Sequence, residues 1–543
     1  MENEPVLSYN PGSSELAELE AAVKDLLSHG PHDIPLVVNG KEIRSGSPQR
    51  QVLPFNHSTT LANFYHADPA VIQAAINESV KVRKDVWDAV PLEEKISMFL
   101  RAADLVSGKY RMKLNAATML GQAKTVIQAE IDSAAELADF LRFNAMFAQE
   151  LLSYQPISPD PSATTNTFRY RSLEGFIASI SPFNFTAIGG NLAAAPTLMG
   201  NVVLWKPSDT ALLSNYIIYK LLEEAGFPPG VINFLPSNGP VFGDTITKSP
   251  ELSGVNFTGS VATFKTIWKM TAENLEKYKS YPRLVGECGG KNFHLVHPTA
   301  DVKTVVPSTI RSAFEFSGQK CSACSRMYVP SSLWKDIKQG LQDIIHQIKV
   351  GSPLEYSNFT SAVIDEAAFK RISSYIEDAR KRNLEIIAGG TFDGSVGYYV
   401  NPTVIQVKDP HDRLMKEEIF GPVLSVFVYE DRDIDKIVDV VDSSTAFALT
   451  GAVFAQDKNF LKTAAKRLKY AAGNFYLNDK STGSVVGQQP FGGSRMSGTN
   501  DKAGGPHYLL RWASPQNVKE TFVPLMDWKY PYMVSKSTYE DTM

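Results

Sequence analysis

The sequence predicts a mixed α/β protein of two doubly wound domains with a small additional β-element. Short apolar runs alternate with helical stretches from residue 175 onward, which is the pattern of βαβ units. Several of those runs are apolar throughout, as strands covered on both faces are. The length of 543 residues exceeds one core and suits two or three domains of roughly 100–200 residues each.

The elements follow in order. Residues 68–152 read as helical, with apolar side chains at three- and four-residue steps and Asp68-Pro69 as a helix start. The linker 154–166, with Pro156, Pro159 and Pro161, closes that block. GFIASISP, NVVLWKPS, VINFLPS and LSGVNFTGS are strand candidates, with a helix over SNYIIYKLLEEAG that ends at Gly226. Ligands of such sheets bind at the carboxyl ends of the strands. A second series follows: KNFHLVHP, the segment around RMYVP, a helix near 332–349, SAVID, a helix at 366–380, LEIIAGG and VLSVFVYE. TFRYRSLEG (167–175) and VKETFVPL (518–525) belong to neither series and are expected to pair as a protruding sheet that joins subunits.

Composition excludes several classes. With 43% hydrophobic and 21% charged residues the chain is neither disordered nor collagen-like. A formal charge of −4 and the lack of a long Lys/Arg run argue against nucleic acid, which leaves a small molecule as the expected partner. Residues 175–205 carry no charge, yet Pro182, Asn184, Gly189, Gly190, Asn191, Pro196, Gly200 and Asn201 break them. No membrane span is expected there. The acidic first 30 residues resemble neither a secretory signal nor an organellar presequence. Three cysteines, Cys288, Cys321 and Cys324, suit a reducing compartment. Cys321-x-x-Cys324 is open to reading as a redox pair or half a zinc site, but no second ligand pair stands at metal spacing. No metal is expected, and one chemically active thiol is the simpler reading.

Five clusters carry candidate chemistry. In FEFSGQKCSACSR (314–326), Cys321 is flanked by small residues and preceded by Lys320. An open, cationic setting of that kind favours a thiolate, although a buried small side chain would look the same. In VGECGGKNF, Glu287 follows a strand and precedes Gly289 and Gly290, so it could serve as a base or be a solvated loop residue. The 34 residues from Glu287 to Cys321 approximate one βαβ unit, which would return the chain to the same sheet edge. Asn184 of SPFNF ends a strand as a potential amide donor or a turn residue. Lys206 of WKPSD suits a ribose or phosphate. Gly259 and Ser260 of FTGSVAT open a helix where a pyrophosphate could sit, without the GxGxxG pattern.

SPFNF, NVVLWKPS, FTGS, ECGGK, GQKCSA, EEIFGP and PFGG, in this order, resemble the NAD(P)-dependent aldehyde dehydrogenase superfamily from about residue 40 to 525. ECGGKNFH, FSGQKCSACSR, GNFYLNDKSTGSVVGQQPFGG and SGTNDKAGGPHYLLRW narrow the resemblance to its Δ1-pyrroline-5-carboxylate dehydrogenase branch. The resemblance implies a Rossmann-type NAD domain (51–158 and 180–286), a catalytic domain (287–500), an N-terminal arm (1–50), and an oligomerisation sheet with a tail (159–179 and 501–530). It implies NAD-dependent oxidation of L-glutamate 5-semialdehyde, a homodimer, and residence in the mitochondrial matrix, with the cytoplasm as the alternative.

The same resemblance implies roles residue by residue. Cys321 would be the nucleophile and Glu287 the base. The Asn184 amide and the Cys321 N–H would hold the oxyanion, while Cys288 and Cys324 would only pack. Ser181, Phe183 and Lys206 would meet NAD, with Gly259, Ser260, Val261, Ala262 and Thr263 at its pyrophosphate. Glu418 would bind the nicotinamide ribose and Phe420 steady the ring. Phe264 stands where many relatives have a second glycine, and Asp209 replaces a glutamate; its charge opposes a 2′-phosphate. Ser322, Gly483 and Ser484 would clamp the substrate carboxylate between Phe185 and Phe491. A dehydrogenase for another carboxylated aldehyde, such as succinate semialdehyde, is the nearest alternative; a thiol esterase and a crystallin-like structural protein are the alternatives of other classes.

Overall fold

The computed structural model describes residues 2–533; Met1, the first residue of the expected arm, and residues 534–543 lie outside the described residues. The helical block forms as its sequence suggests. Asp68 caps helix Pro69–Asp85 by accepting from the Val71 N–H at 2.9 Å, and its neighbour Pro69 has no N–H to lose. Helices Leu92–Ser107, Arg111–Gln122 and Glu136–Leu151 follow, the last continuous with a π-helical turn at Glu130–Ala135.

The first seven-stranded sheet runs, edge to edge, Arg283–Glu287, Leu252–Thr258, Phe176–Ile180, Val203–Lys206, Ile232–Phe234, Leu36–Val38, Lys41–Ile43. Its first five strands are parallel and the last two antiparallel. Strand order reverses between Phe176–Ile180 and Leu252–Thr258, so a crevice opens beyond their carboxyl ends. Residues 36–43 are thus the far edge of this sheet, and helix Ser14–Ser28 packs on Arg111–Gln122. Residues 1–50 are therefore not a separate arm in this region, because their apolar strands need the sheet to be covered. The uncharged stretch 175–205 folds as strand, helix Thr186–Leu198 and strand, and among the described residues no helix is long and apolar enough to cross a membrane.

The second seven-stranded sheet runs Glu385–Ala388, Thr403–Val407, Val423–Tyr429, Cys324–Pro330, Asn292–Val296, Thr450–Phe454, Asn474–Leu477. It is parallel except for its first strand. Separate apolar cores cover its two faces, whereas one continuous core joins the helical block to the first sheet. SAVID is not a strand: it is an irregular stretch leading into helix Glu366–Lys381, and Ser361 accepts a bond from Ser317 near the crevice. The protruding sheet forms from Thr164–Arg171 and Ser514–Thr521, antiparallel, with Val518 opposite Thr167.

Candidate active site

Cys321 sits in the turn between helix Val302–Phe314 and strand Cys324–Pro330. Phe316, Ser317 and Gly318 all adopt positive φ (50°, 51°, 65°), a conformation that costs a non-glycine residue about 1–2 kcal/mol. The turn is pinned: the Ser317 N–H donates to Thr360 Oγ1 at 2.8 Å, and a Cβ on Gly318 would lie 2.3 Å from the Gly421 carbonyl oxygen. Asn184, arriving from the first sheet, donates its amide to the Gln319 carbonyl at 3.1 Å. That bond ties the two halves of the crevice beside the thiol.

The thiol's surroundings are not the open, cationic ones expected from sequence. Cys321 is 8% exposed. Lys320 is buried and turned onto Glu315 at 3.2 Å, with Asp132 at 4.0 Å. Burial pushes the Cys321 thiol up, and the carboxylates of Glu287 and Glu418 add to the rise. The free protein therefore holds a thiol here. Cys288 and Cys324 are likewise buried and reduced, and among the described residues no cluster of His, Cys, Asp and Glu could hold a metal.

Glu287 closes strand Arg283–Glu287, and its carbonyl accepts the Gly259 N–H at 3.1 Å. Its Oε1 is buried with no hydrogen-bond partner among the described residues. Burial raises this carboxyl well above the usual range; Lys502 opposes the rise and Asp501 adds to it. Glu287 and Cys321 do not return to one sheet edge. They come from different sheets and meet across the crevice, because the chain leaves the first sheet at Glu287 and starts the second at Asn292.

Both line a cavity of about 200 Å³, together with all five substrate candidates, Phe185, Ser322, Gly483, Ser484 and Phe491. Ser322 Oγ shares a 2.6 Å hydrogen bond with Thr482 Oγ1, and Gly483 has φ +87°. Sequence reasoning missed Glu136, which lines the cavity with a buried, unpartnered Oε2. Burial, with Asp132 adding, pushes it up to about 8. Asp132 is taken by the fully buried Lys124, whose ammonium lies 4.2 Å from the ring centre of Phe185. The available signal was the like-charged i,i+4 pair Asp132 and Glu136 with no Lys or Arg from 125 to 141, which is unfavourable unless partners come from elsewhere.

The other end of the crevice lies at the strand-order reversal. The Ser181 N–H donates to the Lys206 carbonyl at 3.1 Å, and Ser181 Oγ accepts from Trp205 Nε1 at 3.0 Å. Lys206 Nζ has one long bond, 3.4 Å to the Pro207 carbonyl. Asp209 faces His66 at 3.0 Å. Ser260 caps helix Val261–Glu273 by accepting the Thr263 N–H at 3.1 Å, and Ser260, Ala262 and Thr263 face solvent. Phe264 points inward, stacked on Phe257 at 5.4 Å and packed on Gly286, so it does not obstruct the helix start. Glu418 is folded onto the glycine pair: its Oε1 accepts the Gly290 N–H at 2.8 Å, and a Cβ on Gly289 would lie 2.0 Å from Oε2. Phe420, at φ +53°, stands edge-on to Phe183 at 5.9 Å.

Residues 43–518 match the aldehyde dehydrogenase family. The chain belongs to this family. It is 57% identical over 535 residues to the mitochondrial delta-1-pyrroline-5-carboxylate dehydrogenase of Danio rerio, covering 98% of this chain and 96% of that one. To the Homo sapiens protein of the same name it is 58% identical over 533 residues, covering 98% and 94%. The crystal structure of the Mycobacterium tuberculosis delta-pyrroline-5-carboxylate dehydrogenase bound with NAD superposes with a TM-score of 0.94 at 45% identity over 98% of each chain. The α/β aldehyde dehydrogenase fold expected from sequence is thus the fold observed.

Proposed function

We propose that this aldehyde dehydrogenase oxidises L-glutamate γ-semialdehyde, the open form of 1-pyrroline-5-carboxylate, to L-glutamate with NAD in proline breakdown. The observation that carries the reading is one cavity holding four things together: a thiol, a base, a cluster of hydroxyls and amides suited to a carboxylate, and the unpartnered carboxyl of Glu136 suited to an ammonium. The relatives named above act, by their names, on the same compound, and one was crystallised with NAD.

Cys321 Sγ bonds to the aldehyde carbon, and its proton leaves to a neighbouring base as the thiolate forms. The aldehyde oxygen becomes an oxyanion held by the Asn184 amide and the Cys321 N–H. Ser322, Gly483 and Ser484 hold the substrate carboxylate, with Phe185 and Phe491 against the methylenes. NAD, when bound, would supply the hydride acceptor that conversion of the adduct to a thioester requires. Glu287, whose carboxyl burial raises well above the usual range, then takes a proton from water as that water attacks the thioester carbon; the carbon–sulfur bond breaks and glutamate leaves.

The residues at the strand-order reversal fit NAD. Ser260, Gly259 and the first amides of the 13-residue helix Val261–Glu273 suit a pyrophosphate. Lys206, short of partners, suits ribose hydroxyls, alongside Ser181 and Phe183. Asp209 opposes a 2′-phosphate. Glu418, whose Oε1 holds the Gly290 N–H, would bind a nicotinamide ribose, and Phe420 would steady the ring. The two-stranded sheet Thr164–Arg171/Ser514–Thr521, followed by the exposed Leu525 and Met526, is the surface on which a second copy forms a homodimer. The mitochondrial names of the animal relatives support a mitochondrial location.

NADH absorbance decides the reading, followed with 1-pyrroline-5-carboxylate, succinate semialdehyde and propanal for the wild type and Cys321→Ala. Pyrroline carboxylate should be preferred, and the variant should lose at least about 10³-fold in kcat. Equal turnover of the other aldehydes sinks the substrate, and activity surviving in the variant sinks the nucleophile.

A further inference from the structure

Residues 3–9 run outside any helix or strand across the helical block, and their polar contacts lead into the substrate cavity. The fully buried Glu130 sits in the π-helical turn, a feature common where a helix is adapted to a function. Its carboxylate accepts from Tyr9 Oη at 2.7 Å, the Leu7 N–H at 2.9 Å and Asn115 at 2.7 Å, beside Arg111. Glu4 receives Arg111 at 2.6 Å, and its N–H donates to Asp139 at 2.7 Å. Asn3 uses three bonds. Its Nδ2 donates to Asp139 Oδ2 at 2.8 Å and to the Val486 carbonyl at 2.9 Å, while its Oδ1 accepts from Gln488 Nε2 at 2.8 Å. Asn3, Glu4 and Val6 line the same cavity as Cys321.

Asp139 lies one turn beyond Glu136 on the same helix face, and Val486 lies two residues beyond Ser484. We propose that Asn3 is a positioning residue for the substrate. It ties the helix that offers Glu136 to the loop that offers Gly483 and Ser484, while Asn3, Glu4 and Val6 form part of the cavity wall. This rests on the function proposed above. A substrate with both an ammonium and a carboxylate needs those two elements at a fixed spacing, whereas an uncharged aldehyde needs neither.

The test compares Asn3→Ala with the wild type in kcat and KM for 1-pyrroline-5-carboxylate and for propanal, and in calorimetric binding of L-glutamate. The pyrroline-carboxylate KM and the glutamate Kd should each rise about five- to tenfold, the loss of two or three ordinary hydrogen bonds. Both kcat values and the propanal KM should stay within about twofold of the wild type. Gln488→Ala, which removes one of the three bonds from the loop side, should raise the same two constants about twofold, and it carries the test if Asn3→Ala does not fold. Unchanged constants, or a parallel loss with propanal, overturn the proposal. A wild type that neither prefers pyrroline carboxylate nor binds glutamate overturns the functional reading first, and the proposal falls with it; the wild-type measurement alone separates the two failures.

Discussion

Where the crevice offers a pyrophosphate position, Ser260, Ala262 and Thr263 face solvent and the offered groups are backbone amides at a helix start. At the substrate end, Cys321, Glu287 and Glu136 are desolvated, and both carboxyls have an oxygen without a partner. The contrast separates two ways of preparing a site. Amides held by a helix stay in place when a neighbouring side chain changes, so single substitutions there should cost little. Buried titratable groups store displaced protonation equilibria, so substitutions there should be large in effect and strongly pH-dependent.

Glu287→Gln tests the buried end hardest. Loss of the base should slow steady-state turnover about 10²–10⁴-fold while a rapid first turnover of NADH formation survives, since thioester hydrolysis is the step that needs the carboxylate. The same variant removes a negative charge that raises the Cys321 thiol. Alkylation of Cys321 by iodoacetamide should therefore set in at lower pH than in the wild type. An unmoved alkylation profile would mean that Glu287 is not electrostatically joined to the thiol, leaving burial and Glu418 to raise it.

Glu136→Gln sharpens the comparison through stability. The unfolded chain releases this proton near 4.5, whereas the folded protein keeps it to about 8. The folded state thus binds more protons between those values. The corresponding stability is complete below about pH 4.5 and is lost as pH rises to about 8. The variant has no such loss, so its melting temperature should gain on the wild type more at pH 8 than at pH 5, while its KM for pyrroline carboxylate rises. Parallel melting curves across that range would show that Glu136 is already ionised at neutral pH.

The same divide governs what could be read in the sequence. Local signals were legible: Asp68-Pro69 starts its helix, Gly226 ends another with φ +101°, and the two stray strand-like pieces pair, shifted by three or four residues from their expected bounds. Motif positions around Cys321, Glu287 and Asn184 also converge. Properties set by distant partners were not legible. Lys320 looks like a cation beside a thiol until Asp132, 188 positions earlier, approaches it. Glu136 went unnoticed because the residues 482–486 that line the same cavity lie about 350 positions later. The acidic start of the chain reads as part of an N-terminal arm, yet Asn3 and Glu4 bind Asp139 and Arg111. Strand Leu36–Val38 is three residues long and joins the parallel strands only through Val37 and Phe234, which leaves too little pattern to detect.

Ser260→Ala should have the smallest effect. The hydroxyl caps helix Val261–Glu273 through the Thr263 N–H, and losing such a cap costs about 1 kcal/mol of stability. The Val261, Ala262 and Thr263 amides survive the change and continue to present the positive helix end. The KM for NAD should therefore rise less than about tenfold, with kcat for pyrroline carboxylate unchanged and the rise growing as salt screens the remaining dipole. A loss on the scale of Glu287→Gln would show that side chains, not amides, hold the cofactor, and the division between an exposed, dipole-built end and a buried, charge-built end would fail.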